Sequence, residues 1–278
     1  MQIIKDKNEL SYICRQIKQS KAKISFVPTM GMIHDAHLSL IAKAKEKAEI
    51  VIVSIFVNPK QFDNKSDFSK YPRNLVEDQK KIQDAGVDYI FVPDTDKFYK
   101  EDFAFNIQIN KLDDVLCGST RAGHMNGVCV VLLKLFNLIR PDFAMMGEKD
   151  YQQLYITKKL VEDFELETEI IGCPTIREKS GLAMSSRNER LSDKARDLIA
   201  PKIKQNLEAL KHDIMQNEDI GILKQKYSEK LLKDGFSKID YLEILNSNLT
   251  KYDSNKANAR IFVAIWLEDV RLIDNITL

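Results

Sequence analysis

Two hydrophobic signatures alternate along the chain. Residues 50–57, IVIVSIFV, are apolar almost without interruption and mostly β-branched, the mark of a strand covered on both faces. Residues 24–31, ISFVPTMG, read as a second buried strand that ends in a turn. Between them, DAHLSLIAKAKEKA (35–48) spaces Leu38, Ile41 and Ala42 as one face of a helix. The result is a β-α-β unit with a loop at the carboxyl end of its first strand. The alternation continues with a helix over 74–85 and a strand over 87–93, then a helix over 126–139 and a strand over 143–147. A third pair follows, a helix over 152–164 and a strand over 167–173. FAFNIQI (103–109) reads as an additional strand or edge element. This alternation predicts an α/β fold with a mostly parallel sheet, right-handed crossovers and helices on both faces. Such sheets bind ligands outside the carboxyl ends of their strands.

The pattern changes after Pro174. A polar segment, REKSGLAMSSRNERLS, leads into a long charged helical stretch over 193–217 and a second helix over 222–234. KIDYLEIL (238–245), ARIFVAIWL (259–267) and VRLIDNI (270–276) read as strands, the last two an antiparallel pair turning at Glu268 and Asp269. Residues 1–175 are therefore expected to form one domain and residues 176–278 a smaller α+β domain.

Composition narrows the function classes. The chain has 278 residues, enough for a substantial core, and is 44% hydrophobic and 30% charged. Its 42 basic and 41 acidic residues leave a net charge of +1, which gives no reason to expect a nucleic-acid or anionic-membrane partner. Cys14, Cys117, Cys129 and Cys173 form no C-x-x-C pair and read as reduced thiols. The first residues are charged with no apolar core, and no apolar run is long enough to span a bilayer, so the expected location is the cytoplasm.

PTMGMIHDAH (28–37) is the most informative local segment. Pro28 and Gly31 suit a tight loop after the strand. His34 and His37, half of the chain's four histidines, stand three apart at a helix start, where free N–H groups and partial positive charge favour an anion. Two readings stay open from these residues: a phosphate site, or a pair that caps the helix and faces water. A metal site lacks a third ligand at suitable spacing. MSSRNERLS (184–192) supplies hydroxyls and one fixed positive charge suited to phosphate, but taken alone such a segment is more often a turn and a helix cap.

Together these segments resemble the superfamily of nucleotidyl-transferring enzymes with an HxGH signature after the first strand and a KMSKS-type loop after the last. SIFVNPKQFDNKSDFSKYPRNLVED (54–78), RAGHMNGVCVVLLKLFNLIRP (121–141), MGEKDYQQL (146–154) and AMSSRNERLS (183–192) are similar, in order and spacing, to the pantothenate synthetase family. Ala36 stands where that family usually has glycine, and RAGHM where it usually has RPGHF. The resemblance implies a Rossmann-like first domain. It also implies an ATP-dependent ligase that joins (R)-pantoate to β-alanine through a pantoyl adenylate, with magnesium accompanying ATP, and a homodimer formed through the first domain.

The site residues implied by the same resemblance are as follows. Met30, Gly31, Met32, Ile33, His34, Asp35, Ala36 and His37 hold ATP, with His34 and His37 at the phosphates and His37 the proton donor. Gly147, Glu148, Lys149 and Asp150 serve the ribose and a phosphate, Lys149 being catalytic with the two histidines. Ile176 meets the adenine, and Met184, Ser185, Ser186 and Arg187 close over the triphosphate. Gln61 and Gln153 bind pantoate, Gln61 also contacts β-alanine, and Asn58 helps to position phosphate or substrate. Asp78, with Glu77 next, is the magnesium candidate. Two other functions compete with this one: a nucleotidyltransferase whose product keeps the nucleotide, and a nucleotide-binding regulator without catalysis.

Overall fold

The computed structural model describes residues 1–63 and 65–278. The chain divides into two compact units. One comprises Met1–Lys111, Arg121–Glu148 and Gln153–Pro174; the other comprises Leu112–Thr120, Lys149–Gln152 and Thr175–Leu278.

The first unit is built on a parallel sheet of six strands: β1 (Gln2–Ile4), β2 (Ile24–Thr29), β3 (Ile50–Ile55), β4 (Tyr89–Phe91), β5 (Phe143–Gly147) and β6 (Glu169–Cys173). Their order is β1-β4-β3-β2-β5-β6. From β2 the chain steps outward through β3 to β4, then returns to lay β5 on the other side of β2. The carboxyl ends of β2 and β5 therefore flank the switch point of the sheet, where α/β sheets place ligands.

Both faces of the sheet are covered, which explains the nearly unbroken apolar run in β3. Val27 packs in a core with Leu40, Ile41 and Ala44 of the helix Asp35–Lys47 and Ile82 of the helix Leu75–Asp84. Its neighbour Phe26, pointing the opposite way as strand residues must, meets Phe136 of the helix His124–Ile139 edge-on at 6.3 Å between ring centres. The α/β class and the alternating order of elements are as expected.

Two local expectations are corrected, and one stretch for which no element was expected proves structured. Residues 103–109 form no strand. Phe103, Phe105, Ile107 and Ile109 do alternate as a strand face, but they pair with no strand among the described residues, none of them is buried, and Phe105 is 81% exposed. The helix expected over 193–217 is broken into a π-helical turn, Ala195–Ile199, and the helix Lys202–Met215, with Pro201 between them. Proline lacks the N–H that a continuous ladder needs there. Finally, the charged N-terminal segment holds β1 and the amphipathic helix Lys7–Gln19. Asp6 caps that helix by accepting from the amides of Asn8 and Glu9, and Leu10 and Cys14 are buried.

Asp142 holds the start of β2. It accepts the Ile24 N–H at 2.7 Å and pairs with Lys18 at 2.8 Å. Partial burial alone would raise its pKa, but the Lys18 and Ile24 bonds outweigh that and hold it below the usual carboxylate range. A depressed folded pKa stabilises the fold at pH values above the unfolded-state value of about 3.9, and the benefit fades as pH falls below it. Asp142→Asn should therefore lower Tm at neutral pH and flatten its decline below about pH 4. Parallel acid limbs in thermal melts of parent and variant would refute the assignment.

The second unit carries an antiparallel sheet of β7 (Lys238–Asn246), β8 (Ala259–Leu267) and β9 (Val270–Thr277). β8 and β9 turn at Glu268, whose φ of 52° closes the hairpin as the sequence predicts. Leu207, Leu210, Leu223 and Leu231 of the helices Lys202–Met215 and Ile220–Lys233 pack with Ile261, Val263 and Ile265 of β8. The Gln152 side chain ties in the outlying segment Leu112–Thr120. It donates to the carbonyls of Leu112 and Val115, each at 2.8 Å, and accepts from the Cys117 N–H at 2.9 Å.

Candidate active site

At the carboxyl end of β2 the chain turns sharply. Thr29 Oγ1 donates to the Ser54 carbonyl at 2.7 Å and accepts from the Gly31 N–H at 3.2 Å. Gly31 (φ 85°) and Met32 (φ 53°) are both left-handed, a conformation that costs little at the glycine and more at the methionine. Asp78 compensates. Its two carboxylate oxygens accept the Met32 and Ile33 N–H groups at 2.9 and 2.6 Å, and it is 3% exposed. Lys81 donates to the Ile33 carbonyl at 2.9 Å. The helix Leu75–Asp84 thus grips the loop from below, and a Cβ on Gly31 would lie 2.8 Å from Asp78 Oδ2.

This geometry does not fit Asp78 as a magnesium ligand. It is buried, and each oxygen is engaged by the loop. Glu77 is turned to Lys81 (2.7 Å) and Asn74 (2.8 Å). Asp78→Asn exchanges one acceptor for a donor facing an N–H. We expect a stability loss of about 2 kcal/mol in denaturant unfolding, the worth of a hydrogen bond to a charged group. Added magnesium should not recover lost activity, and recovery by magnesium would restore the metal role.

His34 is the N-cap of the helix Asp35–Lys47, in extended conformation, so it stands just outside the first turn and not within it. His37 lies inside. The two rings stack at 4.1 Å with 29° between their planes. The His34 N–H points to His37 Nδ1 at 3.4 Å. With Nδ1 in an acceptor's place, the proton of a neutral ring sits on Nε2, as a donor. Ala36 occupies the first helical turn, where alanine suits the backbone and glycine's freedom is not needed.

After β3 the turn Pro59–Gln61 presents Gln61, one of the expected acid ligands. Its side-chain oxygen accepts from Asn58 Nδ2 at 3.1 Å, and its Nε2 lies 2.8 Å from the Met30 sulfur. A thioether is a weak acceptor, so a substrate oxygen can readily replace it. The backbone of the turn is held from the helix His124–Ile139. Asn58 Nδ2 donates to the Gly127 carbonyl at 3.0 Å, and Tyr99 donates to Asn58 Oδ1 at 2.9 Å. Arg121, paired with Asp63 at 3.0 Å, can only donate to His124 Nε2 at 2.9 Å. That leaves the His124 proton on Nδ1, which donates to the Gln61 carbonyl at 2.6 Å. From sequence, Arg121 and His124 could equally have been surface-loop residues; in the structure they hold Gln61. Gln153 lies half-buried in the helix Tyr151–Asp163. At the end of β5, Gly147 and Glu148 are half-buried beside the switch point. A Cβ on Gly147 would meet no protein atom within 4 Å, so the chain's own packing does not demand glycine there.

The remaining expected residues lie in the second unit. Lys149 pairs with Asp150 at 3.6 Å. Residues 176–184 fold back on themselves. The Glu178 N–H donates to the Leu182 carbonyl and the Met184 N–H to that of Ile176, so Ile176 and Met184 face one another. Ser185 then caps the turn Ser186–Arg190, its hydroxyl accepting from the Arg187 N–H at 3.3 Å. Asn188, deeply buried, donates to Glu178 at 2.8 Å and to the Ala183 carbonyl at 3.0 Å, locking the hairpin to the turn. The Ser-Ser-Arg strip therefore sits on a built loop. The polar residues that hold it, Glu178 and Asn188, were not legible as such.

Comparison with known proteins agrees with this architecture. The profile of the Pantoate-beta-alanine ligase family matches residues 2–277. The pantothenate synthetase of Caldicellulosiruptor bescii is 40% identical over 99% of this chain and 98% of its own length. That of Roseobacter denitrificans is 44% identical over 91% and 89%. The crystal structure of pantothenate synthetase from Thermus thermophilus superposes with a TM-score of 0.92 at 36% identity, covering 100% of this chain and 99% of that one. A structure of pantoate-beta-alanine ligase from Francisella tularensis, complexed with beta-gamma ATP and beta-alanine, gives a TM-score of 0.82 at 36% identity over 100% and 97%. With its full length matched in sequence and fold, the chain belongs to the pantoate–β-alanine ligase family.

Proposed function

We propose that the protein condenses (R)-pantoate with β-alanine in two steps, through a pantoyl adenylate, releasing pyrophosphate and then AMP. A carboxylate is a poor electrophile, so the amine cannot displace its oxygen directly. In the first step a pantoate carboxylate oxygen attacks the α-phosphorus of ATP and the bond to the β-phosphate oxygen breaks. In the second the β-alanine nitrogen attacks the acyl carbon, AMP leaves with the carboxylate oxygen, and the nitrogen loses a proton. Alignment and charge stabilisation carry the first step.

The observation that carries this reading is the stacked His34–His37 pair on a loop that also brings Met30 against Gln61. His37 Nε2 donates to phosphate oxygen as charge builds there, and His34 shares that task. Gln61 and Gln153 take the carboxylate and hydroxyls of pantoate, for which a carboxamide has both donor and acceptor. Gln61 also meets β-alanine, a ligand that the Francisella protein carries together with a form of ATP. Lys149 and the segment Met184–Arg187 bind phosphate, Ile176 offers backbone to the adenine, and Gly147, Glu148 and Asp150 serve the ribose side. The open space at Gly147 suits a ligand passing close to the chain. Magnesium enters as part of the nucleotide substrate, on phosphate oxygens and water, without Asp78.

The test is product analysis. With ATP and pantoate alone, one pyrophosphate per site should appear in a burst. Free AMP should follow only when β-alanine is added. An adenylylated product accumulating as the end point indicates a nucleotidyltransferase, and no pyrophosphate from folded protein at saturating substrates indicates a regulator. We also propose a cytoplasmic homodimer joined through the first unit. Four buried cysteines with no disulfide among them suit a reducing compartment. Sedimentation at the mass of a single 32.0 kDa chain would remove the dimer.

A further inference from the structure

Strand β9 carries two consecutive polar residues, Asp274 and Asn275, each 4% exposed. Consecutive strand residues face opposite ways, so the pair reaches two different segments. Asp274 takes both arms of the Arg177 guanidinium, at 2.6 and 2.9 Å, and Arg177 also donates to the Gly181 carbonyl at 3.2 Å. Arg177 bridges to Ala183 across the hairpin that leads into Met184–Arg187. Asn275 Nδ2 donates to the backbone carbonyl of Lys149 at 3.0 Å. Asn275 Oδ1 accepts from Arg260 Nε at 3.0 Å, and the Arg260 guanidinium lies over the Tyr151 ring at 4.1 Å. The Asn275 N–H donates to Asp274 Oδ1 at 2.8 Å and ties the two residues together. Buried polar groups persist only where their bonds are made, and here those bonds run to the two phosphate-directed segments of the unit.

We propose that Asp274 and Asn275 are positioning residues for adenylation, a single stiff element of β9 that fixes Lys149 and the Ser185–Arg187 strip relative to each other. Neither side chain needs to touch substrate. The strip hangs from a hairpin held by a two-armed ion pair, and Asn275 holds Lys149 by its carbonyl, not by its side chain. A β-strand bonded along its whole length to β8 moves as one body, which keeps the spacing of the two segments constant. This inference rests on the reading that Lys149 and Ser185–Arg187 handle the nucleotide.

The test separates positioning from bulk stability and from failure of that reading. Asn275→Asp keeps the size and the acceptor for Arg260 but replaces the donor to the Lys149 carbonyl. We expect the burst rate of pyrophosphate release to fall about tenfold or more, since misplacements near 1 Å cost up to about a hundredfold. The KM for pantoate should stay within about twofold, because Gln61 lies in the first unit and its contacts are untouched. Asn275→Ala should behave alike, which covers any local perturbation from an added charge. The decisive measurement is the double variant with Lys149→Ala. If Asn275 acts through Lys149, the double variant is no slower than Lys149→Ala alone. Multiplying losses, or an unchanged burst rate in Asn275→Asp and Asn275→Ala while Lys149→Ala is impaired, overturns the positioning role alone. An unimpaired Lys149→Ala overturns the nucleotide reading of Lys149 and the inference with it.

Discussion

His37→Ala will slow pyrophosphate release by about two orders of magnitude or more, the scale of a lost transition-state donor. With His37 Nδ1 accepting from the His34 N–H, the proton of a neutral ring is on Nε2, so alanine removes that group and leaves the loop's own supports, Asp78 and Thr29, in place. Tm should therefore change little while the chemical step fails. Acyl transfer from chemically made pantoyl adenylate to β-alanine should stay near the parent rate, since no charge builds on the triphosphate in that step. His37→Gln, which can present an N–H without a charge, should recover part of the lost rate. Full retention of the pre-steady-state burst in His37→Ala would remove the residue from the mechanism.

That prediction rests on a part of the site that the sequence exposed well. PTMGMIHDAH declares its turn through Gly31 and sets two histidines at a helix start, and the structure adds their stacking. The parallel sheet was equally legible, because β2 and β3 are buried on both faces and tolerate almost no polar residue. What escaped has a common physical origin. The helix Lys7–Gln19 is amphipathic and short of apolar residues, so its charge masked its period. Asp78 resembles any acidic residue in a first helical turn, and nothing local tells that both its oxygens hold a loop 45 residues away in sequence. His124, Asp274 and Asn275 likewise act through partners far along the chain. Periodicity reports which face is buried. It does not report which backbone carbonyl a buried polar side chain will find.

Gly127→Ala will carry the second large effect, on the pantoate contact proposed for Gln61 and not on the nucleotide. A Cβ at residue 127 would clash with the Lys60 carbonyl oxygen and carbon and lie 2.7 Å from the Gln61 nitrogen. All three are backbone atoms, so no side-chain rotation relieves the clash. The helix His124–Ile139 and the turn Pro59–Gln61 must part by about an ångström, at a cost of roughly 1–3 kcal/mol for overpacking. The same motion pulls on the His124 bond that holds the Gln61 backbone and on Asn58, which links the Gly127 carbonyl to the Gln61 side-chain oxygen. Misplacing a binding group by about 1 Å costs up to a hundredfold, so kcat/KM for pantoate should fall by one to two orders of magnitude. The KM for ATP should move far less. Gly123→Ala supplies the contrast. Its Cβ would meet nothing within 4 Å, although φ is 76°, so it should lose about 1 kcal/mol to backbone strain and leave the pantoate constants nearly intact. If the two alanine variants prove equally impaired toward pantoate, the close packing at Gly127 is not what sets the pantoate contact proposed for Gln61, and the chain from Arg121 through His124 to Gln61 loses its assigned purpose.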